Sequence, residues 1–558
     1  MSAQSKVGNS GATAGNDGVC WNRRDWMMLA MLVALAVLVL IPGIFFFGII
    51  DPSDGLYTEC AREMIEKHNL LTPSFNYDPF YEKPILIYWL IIASQKLFGV
   101  SAWAGRLQAA VSGVLTVASL FALTRRFIGR RTAFASALIL LSAPLFAVVG
   151  HLTLTDSMLT LFVSVATLCF FSRLHGGGVN LLVVAYLCLG LAVLAKGPVA
   201  LVLSGAPIVL YLFLSGKNSG ETWGQFLWSR LWRLHPAAGL LLIALISLPW
   251  YIAECKATNG EFFQEFFIRQ NLGRATGSVN HQQAWYYYLP FLFGGFFPWW
   301  LFLAGAPRTV ASIWRKRSRQ TKVRQLSLLC LVWSVFIVAV FSAIKTKLGT
   351  YILPAFPPLA ILAAVSIETM LRSSNRKPIF VLAAAIGAVS GVAALSLPFV
   401  FVKLRGVSLG TQLVFDAGAL LLAAGFAGCA YQLRKNRRQS ALLFATVGST
   451  LAISLLIPAA LHQFDKKQHR PFRQLLQICM QDHASVALFL RDSPAADFYL
   501  TRRVPTLNNG DDVRAWRQVT PGKHYLLMTK DVQQLAKERV AVLKLVQQRS
   551  KWYLYSVD

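Results

Sequence analysis

Charge is scarce in this sequence. Of its 558 residues, 14% are Asp, Glu, Lys or Arg, and 55% are hydrophobic. So few polar groups cannot cover the surface of a soluble chain of this length, which excludes a soluble multidomain protein. Acids are scarcer than bases, 25 against 54, giving a net charge of +29. The bases are not interleaved with aromatic residues as in RNA-binding segments, so nucleic acid is set aside. Lys and Arg accumulate in the cytoplasmic loops of membrane proteins, and that accounts for the imbalance. The eight cysteines show no CxxC or other metal spacing, and several lie in apolar runs. They read as small buried hydrophobes without a disulfide framework. No P-loop or dinucleotide fingerprint is present, which argues against a nucleotide-sugar donor. No cleavable signal is evident either: Arg23-Arg24 precede an apolar run with no Ala-x-Ala site after it, so the first helix is expected to be retained.

Long apolar runs are abundant. They fall near 26–50, 104–124, 132–150, 157–172, 180–195, 198–215, 236–254, 285–305, 325–343, 350–371, 378–402, 409–432 and 440–461. Runs of about 20 residues cross a hydrocarbon core of about 30 Å. The reading is a polytopic α-helical membrane protein with about thirteen transmembrane helices, a count taken from these runs. One further run, Ile85 to Phe98, is short and includes Gln95 and Lys96. If it spanned, Arg125, Arg126, Arg130 and Arg131 would lie outside; if it does not, they lie inside with the other basic loops. The positive-inside rule therefore predicts a juxtamembrane, interfacial helix. Residues 1–25 are expected to be a disordered cytoplasmic N-terminus, and 26–462 a transmembrane domain with a first outer loop at 51–103. Residues 463–558 are expected to form a small α/β domain on the outer face. Its strand-like runs are Val486–Leu490, Phe498–Leu500, Tyr525–Met528 and Trp552–Tyr555, and its helix-like stretches are Pro471–Met480 and Val532–Val540.

Chemistry concentrates in the outer loops. The first carries Asp51-Pro-Ser-Asp54, then Glu59, Arg62 and Glu63, then Glu82-Lys83-Pro84. Carboxylates at the exit of a span are costly unless paired or used, so Asp51 and Asp54 are candidate catalytic groups. Glu59 and Glu63, one helical turn apart beside Arg62, favour a structural role. Asp156 stands at the mouth of another helix, whereas His151 favours packing or hydrogen bonding. Lys196-Gly-Pro, Lys345-Thr-Lys347 and Tyr351, and Arg274 with His281 add outer-face cations and a phenol. Cations on that face run against the charge rule and suit an anionic ligand such as a lipid phosphate. Acids beside cations at a membrane surface suit transfer of a group from such a lipid. A transporter of lipid-linked sugars would instead require internal repeats and midplane charges.

The ordered set Asp-x-x-Asp-Gly-x-Tyr-x-Glu-x-x-Arg-Glu-Met, Tyr81-Glu-Lys-Pro, Thr155-Asp156, Lys196-Gly, Arg274 with His281 and Trp285-Tyr-Tyr, and Lys345-x-Lys-Leu-x-Thr-Tyr resembles one family. It is the aminoarabinose transferase branch of the protein O-mannosyltransferase-like glycosyltransferases, family 39. The resemblance covers roughly residues 26–372. It implies a GT-C fold in the bacterial inner membrane and an undecaprenyl-phosphate-linked sugar donor. It also implies transfer on the periplasmic side to a lipid A phosphate or another envelope acceptor. By position it implies Asp54 as an acid of the first-loop pair, Asp156 as a second acid, and Glu82 and Lys83 in the Glu-Lys-Pro element, Lys83 touching the donor phosphate. Arg274, Lys345, Lys347 and Tyr351 fall on the donor-phosphate side. Departures are present: Ser53 stands at the family's Asp position, Asp54 at its Glu and Leu56 at its Arg, so Asp51 is a candidate replacement acid. Asn271 stands where a His is common, and a divalent metal held through Glu82 remains open as a cofactor.

Overall fold

The computed structural model describes residues 21–216, 220–273, 283–305, 321–372, 377–403, 407–534, 536 and 543–557. In chain order the bundle contains α1 (Arg23–Leu40), α2 (Ser53–Glu66), a two-stranded hairpin β1 (Ser74–Phe75) and β2 (Asp78–Pro79), α3 (Leu86–Phe98), α4 (Ala102–Ile128), α5 (Arg130–Leu141) and α6 (Pro144–Gly150). It continues through α7 (Asp156–Leu174), α8 (Asn180–Lys196), α9 (Val199–Ser215), α10 (Trp223–Trp232), α11 (Pro236–Ala257), a π-helical segment (Phe263–Leu272) and α12 (Tyr288–Gly295). The last part comprises α13 (Lys322–Ala343), α14 (Phe356–Arg372), α15 (Lys377–Lys403), α16 (Leu409–Arg434) and α17 (Arg438–Gln468).

Eight helices among the described residues are long and apolar enough to cross a membrane. The expected thirteen long spans are not all reached, for local reasons. The run 132–150 is broken into α5 and α6, which meet at 66°. Pro144 at the start of α6 forces the residue before it out of helical backbone, and Ala143 has ψ 121°. Counted as one broken span, the pair makes nine. The run 285–305 is divided into short turns of helix around Gly294, Gly295 and Pro298. Helices α8 and α9 have 17 residues each.

The first loop is organised from both ends. Asn22 caps α1, accepting from the Asp25 amide at 3.0 Å, while Asp25 accepts from Asn22 N at 3.2 Å. Asp25 is buried and pairs with Arg125 at 3.1 Å. The start of α1 and the end of α4 therefore lie on one side of the bundle. At the other side Arg106, near the start of α4, donates to the carbonyls of Ile44, Phe47 and Gly48. α1 and α4 thus run antiparallel, and α3 between them returns to the side it left. Its 13 residues make about 20 Å of helix, shorter than a hydrocarbon core.

Beyond α17 the chain forms α18 (Arg470–Gln481), β3 (Ser485–Phe489), α19 (Pro494–Leu500), β4 (Thr506–Leu507), α20 (Gly510–Val519), β5 (His524–Thr529), β6 (Leu543–Arg549) and β7 (Trp552–Val557). The sheet order is β4-β3-β5-β7-β6, parallel across its first three strands and antiparallel at β7 and β6. Phe498–Leu500, expected as strand, is helical: Pro494 opens α19 at a first-turn position where its missing N–H costs nothing. Of the helix-like stretch Val532–Val540, residues 535 and 537–540 lie outside the described residues. The sheet domain sits on the Arg106 side of the bundle. His462 Nδ1 lies 2.7 Å from the Phe46 carbonyl, and Ile49 is wholly buried in the domain's own hydrophobic core.

Candidate functional site

Three segments far apart in sequence meet on the Arg106 side. The end of the first loop brings Glu82 and Lys83, the α8–α9 junction brings Lys196, and the turn after α13 brings Thr346 and Tyr351. They line a cavity of about 310 Å³ whose other walls include Val199, Phe266, Phe267 and Phe341. The lining therefore combines two lysines and Glu82 with mostly hydrocarbon and aromatic walls.

Local sequence explains each placement. α8 stops at Lys196 because Gly197 adopts φ 87°, a left-handed conformation open to glycine, and Pro198 follows. Asp156 is the first residue of α7, where the helix dipole favours a carboxylate. Its Oδ1 lies 2.6 Å from Lys196 Nζ, and its Oδ2 accepts from Thr350 Oγ1 at 3.2 Å. Lys196 Nζ also stands 4.3 Å from the centre of the Tyr351 ring, within cation–π range. Lys83 Nζ is 3.9 Å from Glu82 Oε2 and 3.3 Å from the Glu82 carbonyl. Asp156 thus aims Lys196, and the adjacent Glu82 keeps company with Lys83.

A second, more open cavity of about 1000 Å³ adjoins the first. Pro79, Phe80, Tyr81 and Glu82 form one wall; Glu261, Glu265 and their neighbours form the other. Glu82 and Gln270 line both cavities and so mark the boundary between them. Tyr81 Oη donates to Glu261 at 3.3 Å across this opening.

Other residues singled out from sequence fall elsewhere. Asp54 is 3% exposed and binds Arg106 at 2.5 Å, and it also accepts from Ile50 N and from the amide and hydroxyl of Thr153. Asp51 accepts from Ser493 Oγ at 2.5 Å and Ala495 N at 3.0 Å in the sheet domain. Burial, only partly offset by those two hydrogen bonds, pushes its carboxyl up to about 6. Both first-loop acids are committed to protein partners. Lys347 is buried and donates to the carbonyls of Gln283, at 2.9 Å, and Ile344, so it staples its turn. Lys345 is exposed beside that turn and does not line the cavity, although its carbonyl accepts from Gln283 N. Arg274 and His281 lie outside the described residues. Buried His151 hydrogen-bonds the Ala147 carbonyl at 2.7 Å.

Sequence reading passed over Arg106 and Ser493, and it quoted Thr346 and Thr350 within a motif without giving them a role. Arg106 had a signal: an arginine inside an apolar run is expensive unless it has partners. Ser493 had none, because a serine before a short helix of the sheet domain does not report a partner in the first loop. Among the described residues no group of three or more His, Cys, Asp or Glu is arranged to hold a metal. Glu82 is a single carboxylate there, so the described residues do not by themselves fit a metal centre.

Residues 82–250 match the model of the dolichyl-phosphate-mannose-protein mannosyltransferase family. The undecaprenyl phosphate-alpha-4-amino-4-deoxy-L-arabinose arabinosyl transferase of Edwardsiella ictaluri (strain 93-146) is 30% identical over 487 residues, covering 84% of this chain and 82% of the relative. The enzyme of the same name from Aeromonas salmonicida (strain A449) is 30% identical over 448 residues, 78% of each chain. The crystal structure of ArnT from Cupriavidus metallidurans bound to undecaprenyl phosphate superposes with a TM-score of 0.75 at 23% identity, over 96% of this chain and 99% of that one. The apo form of that protein gives 0.76 at 22%. These two structures establish the fold.

Proposed function

Because this chain belongs to the undecaprenyl phosphate-aminoarabinose arabinosyl transferase family, we propose that it moves aminoarabinose from undecaprenyl phosphate to a phosphate of lipid A on the periplasmic face of the bacterial inner membrane. It is a multi-pass membrane glycosyltransferase with the GT-C fold. One observation carries the donor reading: the cavity of about 310 Å³ combines Lys83 and Lys196 with apolar and aromatic walls. A phosphate bearing a hydrocarbon chain has those two chemistries in one molecule.

The acceptor phosphate oxygen is already anionic, so it attacks the anomeric carbon without a general base. As that carbon–oxygen bond forms, the bond from the anomeric carbon to the undecaprenyl phosphate oxygen breaks. The leaving phosphate gains negative charge, and fixed ammonium groups stabilise that charge more than they stabilise the ground state. Lys83 and Lys196 are the groups for this, with Asp156 orienting Lys196 and Tyr351 packing against it. In this reading Glu82, which lines both cavities, meets the sugar. Asp51 and Asp54 support the first loop in this scheme. No step requires a proton to be removed or a metal to be present.

The test is transfer by purified protein in detergent, with undecaprenyl-phosphate-aminoarabinose and lipid A, followed by mass spectrometry. Lipid A should gain one aminoarabinose per modified phosphate, and only with donor present. Unmodified lipid A alongside a modified hydroxyl-bearing acceptor would overturn the acceptor assignment. Absence of transfer to any acceptor would overturn the reading as a whole.

A further inference from the structure

The hairpin that leads into Glu82 and Lys83 has an uncommon turn. Strands β1 and β2 pair with Ser74 opposite Pro79 and Phe75 opposite Asp78, leaving Asn76 and Tyr77 as a two-residue connection. Both have left-handed backbones, Asn76 at φ 54° and Tyr77 at φ 64°. Two-residue hairpins favour this geometry, usually with Asn-Gly. Asn tolerates it, but a bulky residue such as Tyr is an outlier there. Such residues persist where their surroundings over-determine them, and they cluster at functional sites.

The surroundings here come from one face of α2. Glu63 is fully buried, and its Oε2 accepts from Tyr77 N and from Ser74 Oγ, each at 2.9 Å. Lys67 Nζ donates to the Tyr77 carbonyl at 2.6 Å. Tyr77 Oη donates to Glu66 at 2.9 Å. The peptide groups on both sides of Tyr77 are thus held by charged side chains, as is its phenol. The glutamate's other oxygen, Oε1, has no hydrogen-bond partner among the described residues. A fully buried glutamate side chain is thus committed to holding this turn.

The strand leaving that turn is a wall of the site. Pro79, Phe80, Tyr81 and Glu82 line the larger cavity, and Glu82 and Lys83 line the smaller one. Phe80 N is tied back to the Pro73 carbonyl at 2.8 Å, so little slack separates the turn from the wall. We infer that Glu63 is a positioning residue for donor binding: by holding the Asn76–Tyr77 turn left-handed, it fixes where Glu82 and Lys83 meet the lipid-linked sugar. This rests on the donor reading given above.

The experiment measures donor KM and kcat for purified protein with undecaprenyl-phosphate-aminoarabinose at saturating lipid A. Glu63→Ala should raise donor KM about tenfold while kcat stays within about twofold, the pattern of lost uniform binding. Glu63→Gln, which keeps an accepting oxygen, should remain near the wild type. Glu63→Ala/Tyr77→Gly should recover most of the lost KM, because glycine adopts positive φ without strain. General damage to the fold would not be repaired by a glycine at 77. If Glu63→Ala does not purify as folded protein, Tyr77→Val supplies the test by placing a β-branched residue at that φ, and it should also raise KM. An unchanged KM in whichever of Glu63→Ala and Tyr77→Val is measured, or a raised KM in Glu63→Ala that Tyr77→Gly does not recover, overturns the inference alone. Absence of transfer by the wild type overturns the donor reading and this inference with it.

Discussion

Lys196 Nζ and Asp156 Oδ1 stand 2.6 Å apart at the end of α8 and the start of α7, both largely buried. The carboxylate fixes the ammonium against the Tyr351 ring and toward the cavity. Their separation in sequence, 40 residues, hides the relationship until the bundle closes. The pair is the most direct link between helix packing and the proposed chemistry.

Lys196→Ala should therefore lower kcat by about 10²-fold, the usual cost of removing one donor that faces developing charge. Asp156→Asn should cost less, because the ammonium remains but is no longer held. Steady-state rates at saturating donor and lipid A check both. Equal, small losses in the two variants would remove Lys196 from the leaving-group role.

Two lysines of the same inferred class should separate in experiment. Lys83 lines the cavity, whereas Lys347 binds the carbonyls of Gln283 and Ile344. Lys83→Met should depress transfer by about tenfold or more with little change in thermal stability. Lys347→Met should do the reverse, lowering the unfolding midpoint in detergent while the folded fraction keeps most of its activity. Measuring transfer per folded molecule distinguishes the two.

The Asp54–Arg106 pair is buried on both sides. Removing one partner leaves the other charge without compensation, at a cost of about 3–5 kcal/mol. Asp54→Ala and Arg106→Ala should each yield much less folded protein, as judged by size-exclusion chromatography in detergent. If Asp54→Asn folds normally yet loses all transfer, Asp54 belongs to the chemistry rather than to the scaffold.

Asp51 gives a pH dependence. Its folded-state value of about 6 lies above the ordinary 3.8. Between those two values the folded state holds a proton that the unfolded chain has lost. Stability contributed by this group therefore falls as pH rises from about 4 through about 6. Thermal unfolding of the wild type should show that component, and Asp51→Asn should lack it. Identical pH profiles for the two proteins would mean that Asp51 does not titrate in that window.

Much of this molecule was legible in its sequence, though unevenly. The membrane class, the first loop and the short helix α3 followed from apolar run length and from where arginines can sit. Asp25 binding Arg125 is the physical form of that charge rule. The number of long helices was not legible, because apolarity does not report continuity: Pro144 bends one run sharply, and glycines with Pro298 divide another. For the site, Glu82, Lys83, Asp156, Lys196 and Tyr351 stood out as charged or phenolic groups at outer turns, and they do converge. Asp51, Asp54 and Lys347 looked the same on the page. What separates them is partner choice, and partners such as Ser493 and Arg106 lie 442 and 52 residues away.

Ile49 lies wholly within the hydrophobic core of the sheet domain, although it belongs to the loop following α1. The amides of its neighbours Gly48 and Ile50 donate to Asp465 and Asp54, and Ile49 N donates to the Tyr499 hydroxyl at 2.9 Å. The sheet domain is therefore not a detachable module that begins where α17 ends. A chimera that exchanged it between relatives at that junction would pair a foreign core with this chain's isoleucine. A workable graft has to carry residues 44–54 along with the C-terminal sheet, two pieces of sequence that pack as one unit.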